Sequence, residues 1–231
     1  MTPYYDEDGI TIYHGDCLEV LPTLPSADLV VTDPPYIIGA MSAGSLGSKS
    51  GTWADMMNSA TWFAAWYRAA RVRPDGALWT FCNWRSLPVV QRAAYDAELA
   101  ITSVLVWDKQ WIGPGGPNGL RPSYELVALI CGADFSIPDR GIPDIKRCQV
   151  GSYKATGHPA EKPVELVQWI IETSARPIGS LVVDPFLGSG TTAIAAKKSG
   201  MRFVGIEADE RYCEMAAKRL AQGVLDFGGT S

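Results

Sequence analysis

Seven short runs of mostly apolar, β-branched or aromatic residues recur along the chain: Ile10-Thr11-Ile12-Tyr13, then 28–32, 77–81, 101–107, 125–130, 180–183 and 202–206. Runs of this length and composition read as strands, and the segments between them carry helical signals. The stretch 59–73 reads as a helix with Ser59 as N-cap and Trp62, Phe63, Trp66 and Tyr67 at helical spacing, a stripe best explained by core packing. Ser86 can cap a helix that has Pro88 in its first turn and ends near Leu99. The stretch 162–175 opens the same way with Pro163, and a last helix spans 209–222.

Seven strands alternating with helices predict an α/β fold with a doubly wound, seven-stranded, mostly parallel sheet. The last two strands, with few residues between them, are expected to form one antiparallel edge. Three stretches escape the pattern: 37–58, 110–122 and 132–157. In a compact domain, long irregular loops are functional more often than incidental.

At 231 residues, the chain suits one domain over 1–231 with decorating loops. Its five cysteines form neither a C-x-x-C pair nor a cluster, which fits buried thiols in a reducing compartment. No apolar stretch approaches a membrane span, and the start is acidic at Asp6-Glu7-Asp8. The expectation is a soluble, cytoplasmic protein with no membrane partner.

The formal net charge of -5 argues against a protein that coats nucleic acid. Distribution changes that picture. Up to Tyr36 there are seven acidic residues and no Lys or Arg, whereas Arg140, Lys146, Arg147 and Lys154 follow with only Asp144 among them. That second stretch reads equally well as a local basic surface or as a solvated loop.

Candidate chemistry sits at the ends of two predicted strands. Asp184-Pro185-Phe186-Leu187-Gly188-Ser189-Gly190-Thr191-Thr192 joins a strand to a helix through a glycine turn, where backbone can approach a ligand and free N–H groups face it. A phosphate-binding P-loop is excluded, because Pro185 stands in place of its first Gly and Thr191 in place of its Lys. Glu207 falls at the end of the next strand, where a carboxylate can accept two ribose hydroxyls.

Upstream, Asp33-Pro34-Pro35-Tyr36 also ends a strand, with two prolines that stiffen the turn and donate no N–H. An aromatic amino group is a poor nucleophile because its lone pair is delocalised into the ring. If the Asp33 carboxylate and the Pro34 carbonyl each accept one amino hydrogen, the nitrogen is drawn toward tetrahedral geometry and can attack an electrophilic methyl group. Tyr36 would stack on the base, which must first leave the duplex.

Together and in this order, the two motifs resemble the β group of circularly permuted amino DNA methyltransferases, which use S-adenosylmethionine. The resemblance covers nearly the whole chain. Further matches are Tyr13-His14-Gly15-Asp16-Cys17-Leu18-Glu19-Val20-Leu21, Trp107-Asp108-Lys109 and His158-Pro159-Ala160-Glu161-Lys162-Pro163. It implies a Rossmann-like methyltransferase fold, S-adenosylmethionine as cofactor with S-adenosylhomocysteine as product, double-stranded DNA as substrate, and no metal.

By the same resemblance, Asp16 and Cys17 lie near the cofactor adenine, and Glu207 holds the ribose. Lys162 and the turn residues Asp184, Phe186, Gly188, Ser189, Gly190, Thr191 and Thr192 lie near the methionine end, while Asp33, Pro34, Pro35 and Tyr36 handle a flipped base. Asp16 could equally be the cap of a helix starting at Cys17. His158 and Lys162 could be plain loop residues, and Trp53 and Asp55 either reach DNA or tether their loop.

The D-P-P-Y form is associated in this family mainly with adenine N6, and S-P-P-Y more with cytosine N4. Adenine is therefore the expected target, with cytosine-N4 methylation as the alternative. A noncatalytic cofactor- or DNA-binding relic is a third reading, against which the intact Asp33, Pro34, Tyr36 and Glu207 speak.

The departure from the family is size: 132–157 stands where a substantial recognition insertion is usual. The three irregular stretches are the candidate DNA-contact segments, and the small reading surface together with family behaviour implies a homodimer. Restriction-modification, phage and regulatory roles all fit such a chain.

Overall fold

The computed structural model describes residues 1–35, 53–113, 117–149, 161–174 and 176–222. Its strands are β1 (Tyr5–Glu7), β2 (Ile10–His14), β3 (Leu29–Thr32), β4 (Ala77–Cys82), β5 (Ile101–Asp108), β6 (Tyr124–Cys131), β7 (Ile145–Arg147), β8 (Leu181–Asp184) and β9 (Arg202–Glu207). The helices are α1 (Cys17–Val20), α2 (Trp53–Ala69), α3 (Leu87–Asp96), α4 (Val164–Thr173), α5 (Thr191–Lys198) and α6 (Glu210–Gln222).

One sheet runs in the order β1-β2-β9-β8-β3-β4-β6-β5-β7. Every predicted strand is present, and the short β1 and β7 extend the sheet at its two edges. β7 lies inside the stretch read as loop 132–157, because a three-residue strand is too short to show a period.

The last two strands do not form the expected antiparallel edge. β8 and β9 pair in parallel, because α5 crosses between them and returns the chain to the same end of the sheet. The antiparallel strands are β1, on one edge, and β6, which runs against both β4 and β5.

The central strands β3, β4 and β8 are buried along their whole length, which is why they read as continuous apolar runs. Alternate residues face opposite layers. Leu29, Val31, Trp79 and Phe81 pack with α4, α5 and α6 through Leu166, Ile170, Ala195 and Ala216. Val30, Leu78, Cys82 and Val183 pack with α1, α2 and α3 through Val20, Phe63, Trp66 and Ala93.

Helix starts show where tertiary context overrode local signals. α2 begins at Trp53, so Ser59 is buried inside it rather than capping it. Residues 53–58 contain no Gly or Pro to stop the helix there. At its other end α2 stops at Ala69, two residues before Arg71 takes a φ of 43°. Ser86 holds the N-cap position of α3, but its hydroxyl turns back to the backbone of Asn83, whose side-chain oxygen accepts from Arg85 and Ser86 N–H instead.

Among the described residues, no helix is long and apolar enough to cross a membrane.

Candidate active site

Parallel strands end together, and the loops that follow β2, β3, β4, β8 and β9 enclose a cavity of about 910 Å³. It is lined by Asp16, Cys17, Asp33, Pro34, Pro35, Lys162, Asp184, Phe186, Gly188, Ser189, Thr191, Thr192 and Glu207. Two motifs that begin at Asp33 and Asp184, far apart in sequence, therefore share one space. Gly190 lies in the same turn beneath them, while Tyr36 and His158 fall outside the described residues. So do 37–52 and 150–160; Trp53 and Asp55 belong to the first turns of α2 rather than to a loop.

The turn after β8 is built by its glycines. Gly188 has φ 51° and Gly190 φ 87°, both in the left-handed region. Gly190 also packs against α6, where an added Cβ would lie 2.8 Å from the Ala216 Cβ. The Leu187 N–H donates to Ile206 O at 2.9 Å, pinning the turn to β9.

Glu207 is fixed at the mouth of that turn. One carboxylate oxygen accepts from the Gly188 N–H at 2.8 Å and the other from the Asp209 N–H at 2.9 Å. Asp184 is buried, and its Oδ1 accepts from Thr32 Oγ1 at 2.6 Å and from the Phe186 N–H at 3.0 Å. Burial pushes its carboxyl up to about 6, against the opposing bonds from Thr192, Thr32 and Phe186.

Asp16 caps α1, its Oδ1 accepting from the Leu18 N–H at 2.8 Å, and also faces the cavity. The Cys17 thiol beside it is pushed up to about 12, chiefly by burial, so it stays protonated and serves as packing surface.

On the far side, Lys162 Nζ stands 2.5 Å from Asp33 Oδ2 and 3.5 Å from Glu125 Oε1, over the Phe81 ring at 5.2 Å. Lys109 Nζ reaches the other Glu125 oxygen at 3.2 Å. Burial pulls the Lys162 ammonium down, but the attraction of Asp33 and Glu125 outweighs it and the net shift is upward. The preceding residue, Glu161, faces the other way: it accepts from Thr191 Oγ1 at 3.4 Å and pairs with Arg219, which also binds Ser189 O at 2.6 Å.

Sequence reasoning missed Trp62, Phe81, Asn83, Glu125, Glu161 and Tyr212, all of which line the cavity. Trp62 was assigned to the core; Phe63, Trp66 and Tyr67 are indeed buried there, while Trp62 packs on Phe186 with ring centres 5.3 Å apart. Glu125 carried a signal, a single carboxylate at the start of an apolar strand. Its meaning depends on β6 running antiparallel, which brings the amino end of that strand to the cavity.

The pattern of the DNA methylase family matches residues 138–218. YubD of Escherichia coli (strain K12), whose name assigns it provisionally to the methylases, is 30% identical over 215 residues, covering 90% of this chain and 88% of that protein. Among solved structures, the M1.HpyAVI–SAM complex aligns with a TM-score of 0.67 at 24% identity, over 91% of this chain and 99% of that one. The PvuII DNA methyltransferase, described as cytosine-N4-specific, aligns with a TM-score of 0.75 at 20% identity, over 99% and 90%. At these identities the two structures establish a shared fold.

Proposed function

This chain belongs to the DNA methylase family, and from that premise we propose that it transfers a methyl group from S-adenosylmethionine to the exocyclic N6 of a flipped adenine in double-stranded DNA. The observation that carries the reading is that Asp33-Pro34 and Glu207 open on one cavity, with the glycine turn between them.

The residues present suit S-adenosylmethionine. Glu207 offers a carboxylate already oriented by two backbone N–H groups, suited to a ribose diol. Phe186, Ile206 and Ala208 give apolar surface for an adenine, with Asp16 beside them, and the acidic groups of the same cavity suit a cationic sulfur. When bound, the cofactor supplies a methyl group made electrophilic by a positively charged sulfur.

The protein's part is to bind, orient and exclude water. Asp33 and the Pro34 carbonyl accept the two amino hydrogens of the target, which localises the nitrogen lone pair for attack. Tyr36 stacks on the extruded base, which repays part of its unstacking. The D-P-P-Y form favours adenine. Cytosine N4 presents the same kind of amino group, so cytosine is the alternative target of the same geometry.

The test is incubation of the protein with unmodified mixed-sequence DNA and methyl-labelled S-adenosylmethionine, followed by nucleoside digestion and mass spectrometry. Labelled N6-methyladenine is the expected product. N4-methylcytosine would overturn the choice of base and keep the mechanism, and no labelled nucleoside would overturn both.

A further inference from the structure

We infer that Glu125 is a positioning residue for methyl transfer: through Lys162 it fixes the Asp33 carboxylate in the orientation that receives the target amino group. The inference rests on the methyltransferase reading and extends it to a residue outside both motifs.

Glu125 reaches the cavity because of topology. It stands across from Trp107 of β5, near the amino end of a strand whose neighbours run the other way. Four charges then alternate in a row, from Asp33 to Lys162 to Glu125 to Lys109, at 2.5, 3.5 and 3.2 Å. The Glu125 side chain is 12% exposed and that of Lys162 9%, so water screens little of this central pair.

An ammonium removed from water needs compensation, and Asp33 is the carboxylate closest to it. If Asp33 were the sole counter-charge, the lysine would bind it as a full ion pair and compete with the amino group for the same acceptor. A second carboxylate divides that demand. Glu125 draws on Lys162 through one oxygen while its other oxygen answers to Lys109. Phe81 closes another side of the ammonium.

Lys162 is thus held from several directions, and a lysine held in place fixes the carboxylate plane it touches. In this row the lysine stands between Glu125 and Asp33 and contacts both. Glu125 acts on the reacting nitrogen only through that lysine, and its loss should misorient the acceptor without emptying the cofactor site.

The experiment compares Glu125→Gln, Glu125→Asp, Lys162→Gln and the Glu125→Gln/Lys162→Gln pair. Single-turnover methyl transfer at saturating DNA and cofactor is expected to fall roughly 10- to 100-fold in Glu125→Gln, as for a misplaced reacting group. Affinities for DNA and S-adenosylhomocysteine stay unchanged, and Glu125→Asp recovers part of the rate. In the Lys162→Gln background the Glu125→Gln change adds no further loss, since the route through the lysine is already gone.

Wild-type rates in Glu125→Gln, or the same loss in both backgrounds, overturn the inference. A readout independent of activity is the ¹H–¹⁵N signal of the Lys162 ammonium with S-adenosylhomocysteine bound. It should be protected from exchange in the wild type and shifted or lost in Glu125→Gln; an unchanged signal overturns the inference by itself. A wild-type protein that methylates no DNA counts against the methyltransferase reading, while the lysine signal still decides whether Glu125 holds Lys162.

Discussion

Thr32 Oγ1 donates to Asp184 Oδ1 across 2.6 Å, joining the last residue of β3 to the last residue of β8. The two strands are neighbours, and the next residue after Thr32 is Asp33. One buried hydrogen bond therefore ties the Asp33-Pro34 turn to the glycine turn at the point where both leave the sheet. Its acceptor also takes the Phe186 N–H, so the register of the second turn depends on the same carboxylate.

Asp184 should make stability depend on pH. Its folded-state pKa, about 6, lies above the ordinary value of 3.8, so between those limits the folded protein binds more protons than the unfolded one. The stability it contributes is complete below pH 3.8 and is lost as the pH rises through about 6. The shift corresponds to about 3 kcal/mol. Asp184→Asn keeps an oxygen for Thr32 and Phe186 and removes the titration. Relative to wild type, the variant should gain about that much on going from pH 4 to pH 8, measured by urea unfolding at both. A difference that does not change with pH would show that Asp184 ionises freely.

The sheet was legible in the sequence because its strands are buried on both faces and read as apolar runs, and both site motifs were legible because they follow such runs. What could not be read depended on partners distant in sequence. The pairing of β8 with β9 turned on α5 acting as a crossover, and the start of α2 lay in residues with no breaker. Glu125 and Lys162 were separate charges until the antiparallel course of β6 brought one to the edge where the other lay. Trp62 and Trp66 share one helical stripe and both pack on Phe186 with ring centres 5.3 Å apart, yet Trp62 lines the cavity and Trp66 is core, a difference that spacing along the helix does not show.

Glu207 should govern cofactor affinity more than rate. Its two oxygens are held by the Gly188 and Asp209 N–H groups, so a bound diol meets an acceptor already in place. Glu207→Gln removes the charge and puts a donor where one of these N–H groups needs an acceptor. Titration calorimetry with S-adenosylhomocysteine should show binding weakened roughly 10- to 100-fold, as for the loss of one hydrogen bond to a charged group. DNA affinity should not move. Equal cofactor affinity in the variant would remove Glu207 from the site.

The two glycines of the turn should respond differently to alanine. At Gly190 the added Cβ meets Ala216 at 2.8 Å and φ is 87°, so strain and overlap with α6 act together. At Gly188 the nearest atom is 4.0 Å away and only the φ of 51° is unfavourable. Gly188→Ala should cost about 1 to 2 kcal/mol, and Gly190→Ala clearly more, because α5 or α6 must shift as well. Thermal unfolding of the two variants checks the order; equal midpoints would mean that the α6 contact yields without strain.

Asp33 should separate chemistry from binding. Its carboxylate is proposed to act on the target amino group, and the turn after β8 and Glu207, which line the same cavity, are proposed to hold the cofactor. Asp33→Ala should therefore abolish detectable methyl transfer and leave affinity for S-adenosylhomocysteine close to that of the wild type. Asp33→Asn is the sharper variant. It keeps the shape and one acceptor oxygen, but it places an amide where Lys162 expects a carboxylate and takes from that buried ammonium the nearer of its two carboxylates, Asp33 at 2.5 Å against Glu125 at 3.5 Å. Transfer should fall nearly as far as in Asp33→Ala, and stability should fall further, because alanine leaves space that water can enter beside the lysine whereas asparagine fills it. Near-normal methylation by either variant would mean that the amino group is activated elsewhere, and the cavity would then need a different nucleophile-facing acceptor.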